Sequence, residues 1–345
     1  MTVRVGAIGL GTLGRIECRA YTELDDVEFV AGADVSADVR AEFRDTFDVP
    51  VYEDYQTMVS ETDLDAVNIV TPHTLHYDQT IACLDAGLSV FLEKPMVTDL
   101  ERAHSLVERV TDSDQLIQVG YQRHFDPRFT EIRRLIANGE IGRPHTANLY
   151  LGQDWIDVHE GSWRTNPELS GGGQLYDSGS HALDTLLWTL DAEPQTVAAV
   201  ADAQTHDVDV NSALAMTLKT TAGNVTASVC LSGDGTNPAP EEGFIVFGTD
   251  GHLVYDTHGV TVITGDDRET RSIDAPDFET LVERKLGAFV EAVETGEPSP
   301  VPPEYGRKVT AVTEAAYEAI ETGETVSVAS TPREQSDPAD ASRNH

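Results

Sequence analysis

Two hydrophobic periods succeed one another along the chain. In the first 120 residues, short apolar runs at 3–8, 27–33, 65–70, 88–92 and 115–119 have the length of buried strands. Between them, residues 12–21, 36–47, 73–86 and 99–111 space their apolar side chains three and four apart, as a helix facing a core does. Gly87 suits the end of the third helix, and Pro95 halts the run that ends at Leu92. Strands alternating with helices predict a parallel, doubly wound sheet with helices on both faces.

The pattern changes after residue 122. Helical spacing recurs at 127–138, closed by Gly139, and at 179–190. From residue 197 the chain carries strand-like runs at 197–203, 213–218, 225–231, 244–247, 253–255 and 260–263. Thr221-Ala222-Gly223-Asn224 breaks two of them as a hairpin would. Helices are expected at 278–294 and 303–321. These segments predict an α+β domain over 123–330, built on a large, mostly antiparallel open sheet. The polar stretch 331–345 is expected to be a disordered tail. There is no internal repeat.

Charge narrows the possible partners. Asp and Glu number 60 against 23 Lys and Arg, giving a net charge of -37. No basic cluster exists to meet phosphates, so a nucleic-acid partner is excluded, and an acidic membrane surface would repel the chain. The acids are spread along the sequence, and 40% apolar content opposes disorder. A salt-rich host whose ions screen the self-repulsion is expected. Cys18, Cys83 and Cys230 are too far apart for a disulfide or zinc framework. No apolar run is long enough to span a bilayer, and MTVRVGAIG lacks the features of a secretory signal. A cytoplasmic location is the expectation.

The first candidate site is Gly9-Leu10-Gly11-Thr12-Leu13-Gly14, between the first strand and first helix. In that context Gly9 permits the tight turn, Gly11 lets a pyrophosphate approach, and Gly14 lets helix and strand pack closely. The free N–H groups of the helix start attract the anion. Asp34 stands 20 residues beyond Gly14 at the end of the second strand, placed to accept bonds from both ribose hydroxyls. A carboxylate there repels a 2′-phosphate, which favours NAD, with NADP still possible. Residues 1–122 therefore read as a Rossmann domain binding a nicotinamide dinucleotide.

The chain has only four lysines: Lys94, Lys219, Lys285 and Lys308. Lys94 lies in Glu93-Lys94-Pro95, where a strand ends on the ligand side of such a sheet. It is a candidate acid–base group facing the dinucleotide, and the X-Pro bond is a place for a cis peptide. The alternative is a lysine stem packed at a strand end with its ammonium in solvent. Residues 171–184, GGGQLYDSGSHALD, put Asp177 and His181 at i and i+4 near a helix start. A carboxylate sharing a helix face with an imidazole can orient it, making His181 a candidate general base. The alternative is an N-cap aspartate beside a packed histidine. Trp155, Asp154, Asp157 and His159 form either an aromatic, hydrogen-bonding face for a polyhydroxylated ring or an acidic, solvated loop. His73 and His76 lack a third ligand, so no metal site is expected.

These stretches resemble the Gfo/Idh/MocA oxidoreductases, which include glucose–fructose oxidoreductase and inositol dehydrogenase. The resemblance covers about residues 1–325 and rests on AIGLGTLG, TPHTLH at 71–76, EKP at 93–95, GYQRHFDP at 120–127 and GGGQLYDSGSHALD at 171–184. Two departures stand out: His73 occupies the position of an asparagine, and His124 that of a second arginine. The resemblance implies hydride transfer between a nicotinamide cofactor and a secondary alcohol of a sugar or cyclic polyol. It implies that Lys94, Asp177 and His181 serve catalysis. Cofactor contacts would come from Gly9, Gly11, Thr12, Leu13, Gly14, Asp34, Thr71, Pro72, His73, His76, Glu93 and Lys94. Substrate contacts would come from Arg123, Trp163, Arg164, Asp177 and His181. It further implies a homodimer or homotetramer formed through the second sheet. Two other activities share this pattern: a redox-neutral NAD-dependent glycosidase and a non-catalytic NAD-bound sensor. Sensors typically lose the lysine or the histidine, and both are present.

Overall fold

The computed structural model of the protein describes residues 2–236, 241–256 and 258–329, so the expectation for 331–345 lies outside the described residues. The first sheet has six strands: β1 (Val3–Ile8), β2 (Val27–Ala33), β3 (Val51–Tyr52), β4 (Ala66–Ile69), β5 (Ser89–Leu92) and β6 (Ile117–Val119). They run parallel in the order β3-β2-β1-β4-β5-β6. Every residue of β4 and β5 is buried, as expected of strands covered on both faces. The strand order reverses between β1 and β4, which opens a crevice at the carboxyl ends. Helices α1 (Thr12–Glu23), α2 (Ala37–Arg44), α3 (Tyr55–Glu61), α4 (His76–Asp85) and α5 (Leu100–Val110) connect the strands. Ser36, Asp54 and Asp99 cap α2, α3 and α5 by accepting backbone N–H bonds, each worth about 1 kcal/mol. By contrast, α1 starts at Gly11 with no side-chain cap, which leaves its first N–H groups free.

Helices α6 (Pro127–Ala137), α7 (Trp155–His159), α8 (Pro167–Ser170), α9 (Ser178–Leu190), α10 (Phe278–Thr295) and α11 (Pro303–Thr322) belong to the rest of the chain. So do β7 (Pro144–Gly152), β8 (Glu193–Asp202), β9 (Asn211–Thr220), β10 (Gly223–Ser232), β11 (Glu241–Gly248), β12 (His252–Asp256), β13 (Gly259–Thr264), β14 (Asp267–Arg271) and β15 (Val326–Ser327). These nine strands form one sheet, ordered β14-β13-β12-β11-β7-β10-β9-β8-β15. All its pairings are antiparallel except β7 with β10. One face is covered by α6, α9 and α11, and Leu149, Leu214, Leu218, Val229 and Leu231 point into that core. The other face leaves Tyr150, Val200 and Phe247 exposed.

Helix α10 follows the second sheet in sequence, yet its Val282, Leu286 and Phe289 share a core with Val5 and Phe91 of the first sheet, Leu10 of the glycine loop and Cys18 of α1. The second half of the chain thus returns to cover the nucleotide-type sheet. This return places Lys285 beneath the crevice. No helix of the described residues is long and apolar enough to cross a membrane.

Some elements differ from the sequence expectations. The central strand β7 was not expected: Ala147, Leu149 and Leu151 alternate with the outward Asn148 and Tyr150, but its first residues, Pro144-His145-Thr146, carry no apolar period. The edge strand β14, Asp-Arg-Glu-Thr-Arg, has no apolar residue to show a period. The helix expected over 73–86 begins as a 3-10 turn at His73–Leu75 before α4.

Candidate active site

The glycine loop has the shape that its three glycines suggested. Gly9 holds a φ of 91°, and a Cβ there would lie 2.4 Å from the Val70 carbonyl oxygen. A Cβ on Gly14 would lie 2.1 Å from the Gly9 oxygen, so only glycine permits this approach of α1 to the turn. A Cβ on Gly11 would meet nothing within 4 Å, which leaves the backbone N–H groups open to an approaching anion. Asp34 closes the loop from β2. Its carboxylate accepts from the N–H of Leu10 at 2.9 Å and of Ser36 at 2.8 Å.

A cleft of about 570 Å³ runs from this loop along the strand ends. Gly11, Thr12, Leu13 and Gly14 line one side, with Thr71, His73, Glu93 and Lys94 along the floor. Val158, His159, Trp163, Arg164 and Phe278 face them. Val158 and Phe278 are unusually exposed for apolar side chains, at 55% and 41%. A second chamber of about 280 Å³ shares Leu13, Glu93, Lys94, His159, Arg164 and Phe278, and adds Arg123, Asp177, His181 and Lys285. The glycine loop and the 171–184 segment, remote in sequence, therefore open onto one continuous space.

Lys94 sits at the junction, joined to Pro95 by a cis peptide. Its ammonium donates to the Asp177 carboxylate at 2.7 Å and to the Asp177 carbonyl at 3.2 Å. The solvated strand-end alternative for Lys94 is thereby set aside. Asp177 also accepts from the Trp155 indole N–H at 2.8 Å, and the Arg164 Nε lies 3.2 Å away. Burial would raise the Asp177 carboxyl, but Lys94 and Arg164 override it and hold the group well below the usual carboxylate range.

This arrangement corrects the expectation that Asp177 orients His181. Asp177 is the N-cap residue of α9, with a ψ of -83° outside the helix, so its carboxylate turns away toward Lys94. His181 is the one residue of α9 that is not fully buried. It faces the chamber, with Tyr121 edge-on at 6.2 Å and no hydrogen-bond partner at Nδ1. Burial, then the Lys94 and Arg123 cations, holds its pKa well below 6.5, so the imidazole is neutral near pH 7.

The other candidates divide. Thr71 lines the cleft and donates to Gln79 at 2.6 Å, while Pro72 caps the 3-10 turn. His73 lines the cleft, with Nδ1 at 2.9 Å from the Ser170 oxygen and its ring edge-on to Trp163. His76 does not face the cleft: it is wholly buried, with its two ring nitrogens 2.9 and 3.0 Å from the carbonyls of Pro95 and Thr71. It braces the loop after β4 against the Glu93-Lys94-Pro95 turn. Arg123 reaches the chamber and pairs with Glu242. The buried His124 instead contacts both Asp184 carboxylate oxygens at 3.1 Å and stacks on Trp188. Trp155 supports Asp177 from behind, and Trp163 and Arg164 stack on each other at the cleft wall.

Sequence reasoning missed a buried charge cluster under the floor. Lys285 is 1% exposed and donates to Glu17 at 2.6 Å and to Glu93. Asn68 donates to the other Glu17 oxygen at 2.9 Å, and the Lys94 N–H donates to Glu93 at 3.1 Å. A Cβ on Gly120 would lie 2.4 Å from Glu93, so a glycine there makes room for this carboxylate. The rarity of lysine was the one signal that could have flagged Lys285.

Known proteins place this geometry in context. An oxidoreductase-family model with an NAD-binding Rossmann fold matches residues 3–121, and a GFO/IDH/MocA C-terminal domain model matches residues 129–254. Inositol 2-dehydrogenase 3 of Saccharopolyspora erythraea is 32% identical over 196 residues, 56% of this chain and 55% of that protein. The match thus spans about half the length of that relative. A scyllo-inositol 2-dehydrogenase (NADP(+)) of Bacillus subtilis is 27% identical over 94% of this chain and 96% of its own. A D-xylose 1-dehydrogenase [NADP(+)] of Haloarcula marismortui is 33% identical over 51% of this chain and 49% of its own. Among solved structures, a levoglucosan dehydrogenase in complex with NADH and levoglucosan superimposes with a TM-score of 0.86 at 21% identity, covering 96% of this chain and all of its own.

Proposed function

The chain belongs to the Gfo/Idh/MocA oxidoreductase family, and on that premise we propose that it is an NAD-dependent dehydrogenase of a secondary alcohol on a sugar or cyclic polyol. One observation carries the reading. Lys94 from the first sheet and Asp177 from the start of α9 meet at 2.7 Å in a chamber that His181 also lines, continuous with the glycine-loop cleft.

The residues fit a dinucleotide by shape and charge. The uncapped start of α1 and the open Gly11 backbone would hold the pyrophosphate, and Asp34 would take the ribose hydroxyls. That carboxylate favours NAD over NADP. A bound nicotinamide supplies the hydride chemistry.

This chain's own residues manage the proton and the developing charge. The Lys94 ammonium, held by Asp177, is a fixed donor for the substrate oxygen and stabilises negative charge there. His181 is held neutral, so it can accept the hydroxyl proton. Arg123, Trp163 and Arg164 line the walls where a polyhydroxylated ring would bind. Phe278 and Val158, both exposed on the wall that faces the glycine loop, would lose water when the cofactor is in place.

The remaining expectations follow the same lines. The exposed face bearing Tyr150, Val200 and Phe247 would form the contact of a homodimer or homotetramer. The net charge of -37 suits a salt-rich interior, with the protein in the cytoplasm. Substrate-dependent growth of nicotinamide absorbance with NAD and an inositol or aldose tests the activity. Release of an aglycone with no net change in NAD would replace it with the redox-neutral glycosidase.

A further inference from the structure

The Glu17–Lys285–Glu93 cluster has no part in the chemistry described so far, yet it forms the underside of the reaction chamber. Two carboxylates share one ammonium at full burial. At this burial such a trio carries one negative charge too many, and a proton taken up by one acid removes it. Glu17, on the side away from Lys94, is that acid. Burial raises its carboxyl from 4.5 to about 7, against the opposing pull of Lys285. Glu93 stays ionised, because Lys285 and then Lys94 outweigh its burial. The trio is therefore neutral below pH 7 and singly negative above it.

We propose that the Glu17–Lys285–Glu93 trio is a proton store that biases the neighbouring nicotinamide toward its oxidised, cationic form as pH rises. This rests on reading the cleft as a nicotinamide site. The reduced ring is neutral and feels the added charge little; the oxidised ring is attracted to it. Glu93 and Lys285 line the chamber, so little polarisable solvent separates the store from the space the ring would occupy.

Other groups around the trio leave this charge change uncontested. From α1, Cys18 and Tyr21 face Glu17, and burial pushes both well up. Tyr121, beside Glu93, is pushed well up in the same way. Burial pushes down both His76, near Glu93, and His181, near Lys285. Asn68 from β4 and Gln118 from β6 are neutral hydrogen-bond partners, and the Lys94 ammonium is engaged by Asp177. Glu17 and Lys285 act through charge and are positioning residues, since neither is required to touch substrate.

The test is the pair of dissociation constants for NAD and NADH, measured by fluorescence from pH 5.5 to 8.5 on the full chain and on Glu17→Gln. For the wild type, the ratio of NADH to NAD dissociation constants should rise about tenfold through pH 7, the effect of one charge coupled by one pKa unit. Glu17→Gln, which cannot ionise, should hold the low-pH ratio throughout. A wild-type ratio that is flat, or an equal rise in the variant, overturns the proposal while leaving the nicotinamide reading intact. Failure of both nucleotides to bind overturns that reading and the proposal with it. If Glu17→Gln does not fold, proton release decides: by linkage the wild type should release protons on binding NAD near pH 7 and not on binding NADH. Equal release with both overturns it.

Discussion

Lys285→Met gives the buried charges a quantitative test. The variant keeps the aliphatic volume of the side chain but removes the ammonium that Glu17 and Glu93 share. In the wild type one acid, Glu17, has its pKa raised, to about 7. Without Lys285 burial acts unopposed on Glu17 and nearly so on Glu93, and both are raised. A carboxyl whose folded pKa is raised supports the fold fully below its unfolded pKa and loses that support as pH climbs to the folded value. The loss is about 1.4 kcal/mol per pH unit for each group. Between pH 5 and pH 7 the wild type loses about 2 kcal/mol through Glu17, which is half-ionised at pH 7, and the variant about 5 kcal/mol through the two acids. The penalty of the substitution should therefore grow by about 3 kcal/mol over that interval, in keeping with the cost of stripping one partner from a buried ion pair. Urea unfolding of both proteins at pH 5 and 7 in the same molar KCl reads this difference directly, because the exposed acids cancel. A penalty that is equal at the two pH values, or below about 1 kcal/mol at pH 7, would refute the account of the trio.

Three further outcomes follow from the geometry. Asp177→Asn removes the charge that holds Lys94, and kcat should fall on the order of a hundredfold with little loss of fold; an unchanged kcat contradicts its role. Because burial and the Lys94 and Arg123 cations depress the His181 pKa, the base should stay neutral through the range in which a free imidazole takes up its proton. The acid limb of kcat/KM should lie well below pH 6.5 and vanish in His181→Ala; a limb centred at 6.5 contradicts the depressed imidazole. The melting temperature should rise from low to molar KCl as salt screens the net charge of -37, and a curve that does not move sinks the salt-adaptation reading.

Much of the scaffold was legible because it rests on local periodicity. The parallel strands are apolar throughout, and the glycine loop, Lys94 and the 171–184 segment lie at the ends of clearly patterned elements. What escaped was decided by long-range contacts. Spacing alone put Asp177 and His181 on one face, but the capping geometry and the nearby Lys94, Trp155 and Arg164 turned the carboxylate elsewhere. Glu17 and Lys285 are 268 positions apart, and nothing in either helix announces the other. The strand β7 was missed although Ala147, Leu149 and Leu151 alternate with Asn148 and Tyr150; that period covers little more than half of the strand, and its central place in the sheet is set by partners far along the chain. His76 resembled a cleft residue by position, whereas two backbone carbonyls claim its ring.

The central claim is that Lys94, Asp177 and His181 form the reaction centre of an NAD-dependent sugar or polyol dehydrogenase. Its most direct test is nicotinamide absorbance in molar KCl, with NAD and NADP supplied separately, against a panel of aldoses, inositols and sugar acids, for the wild type and Lys94→Ala. The account predicts steady reduction of NAD with one substrate class, lost in Lys94→Ala although that variant still binds NADH. Reduction that continues unchanged in Lys94→Ala, or none with any substrate despite tight NADH binding, would contradict it.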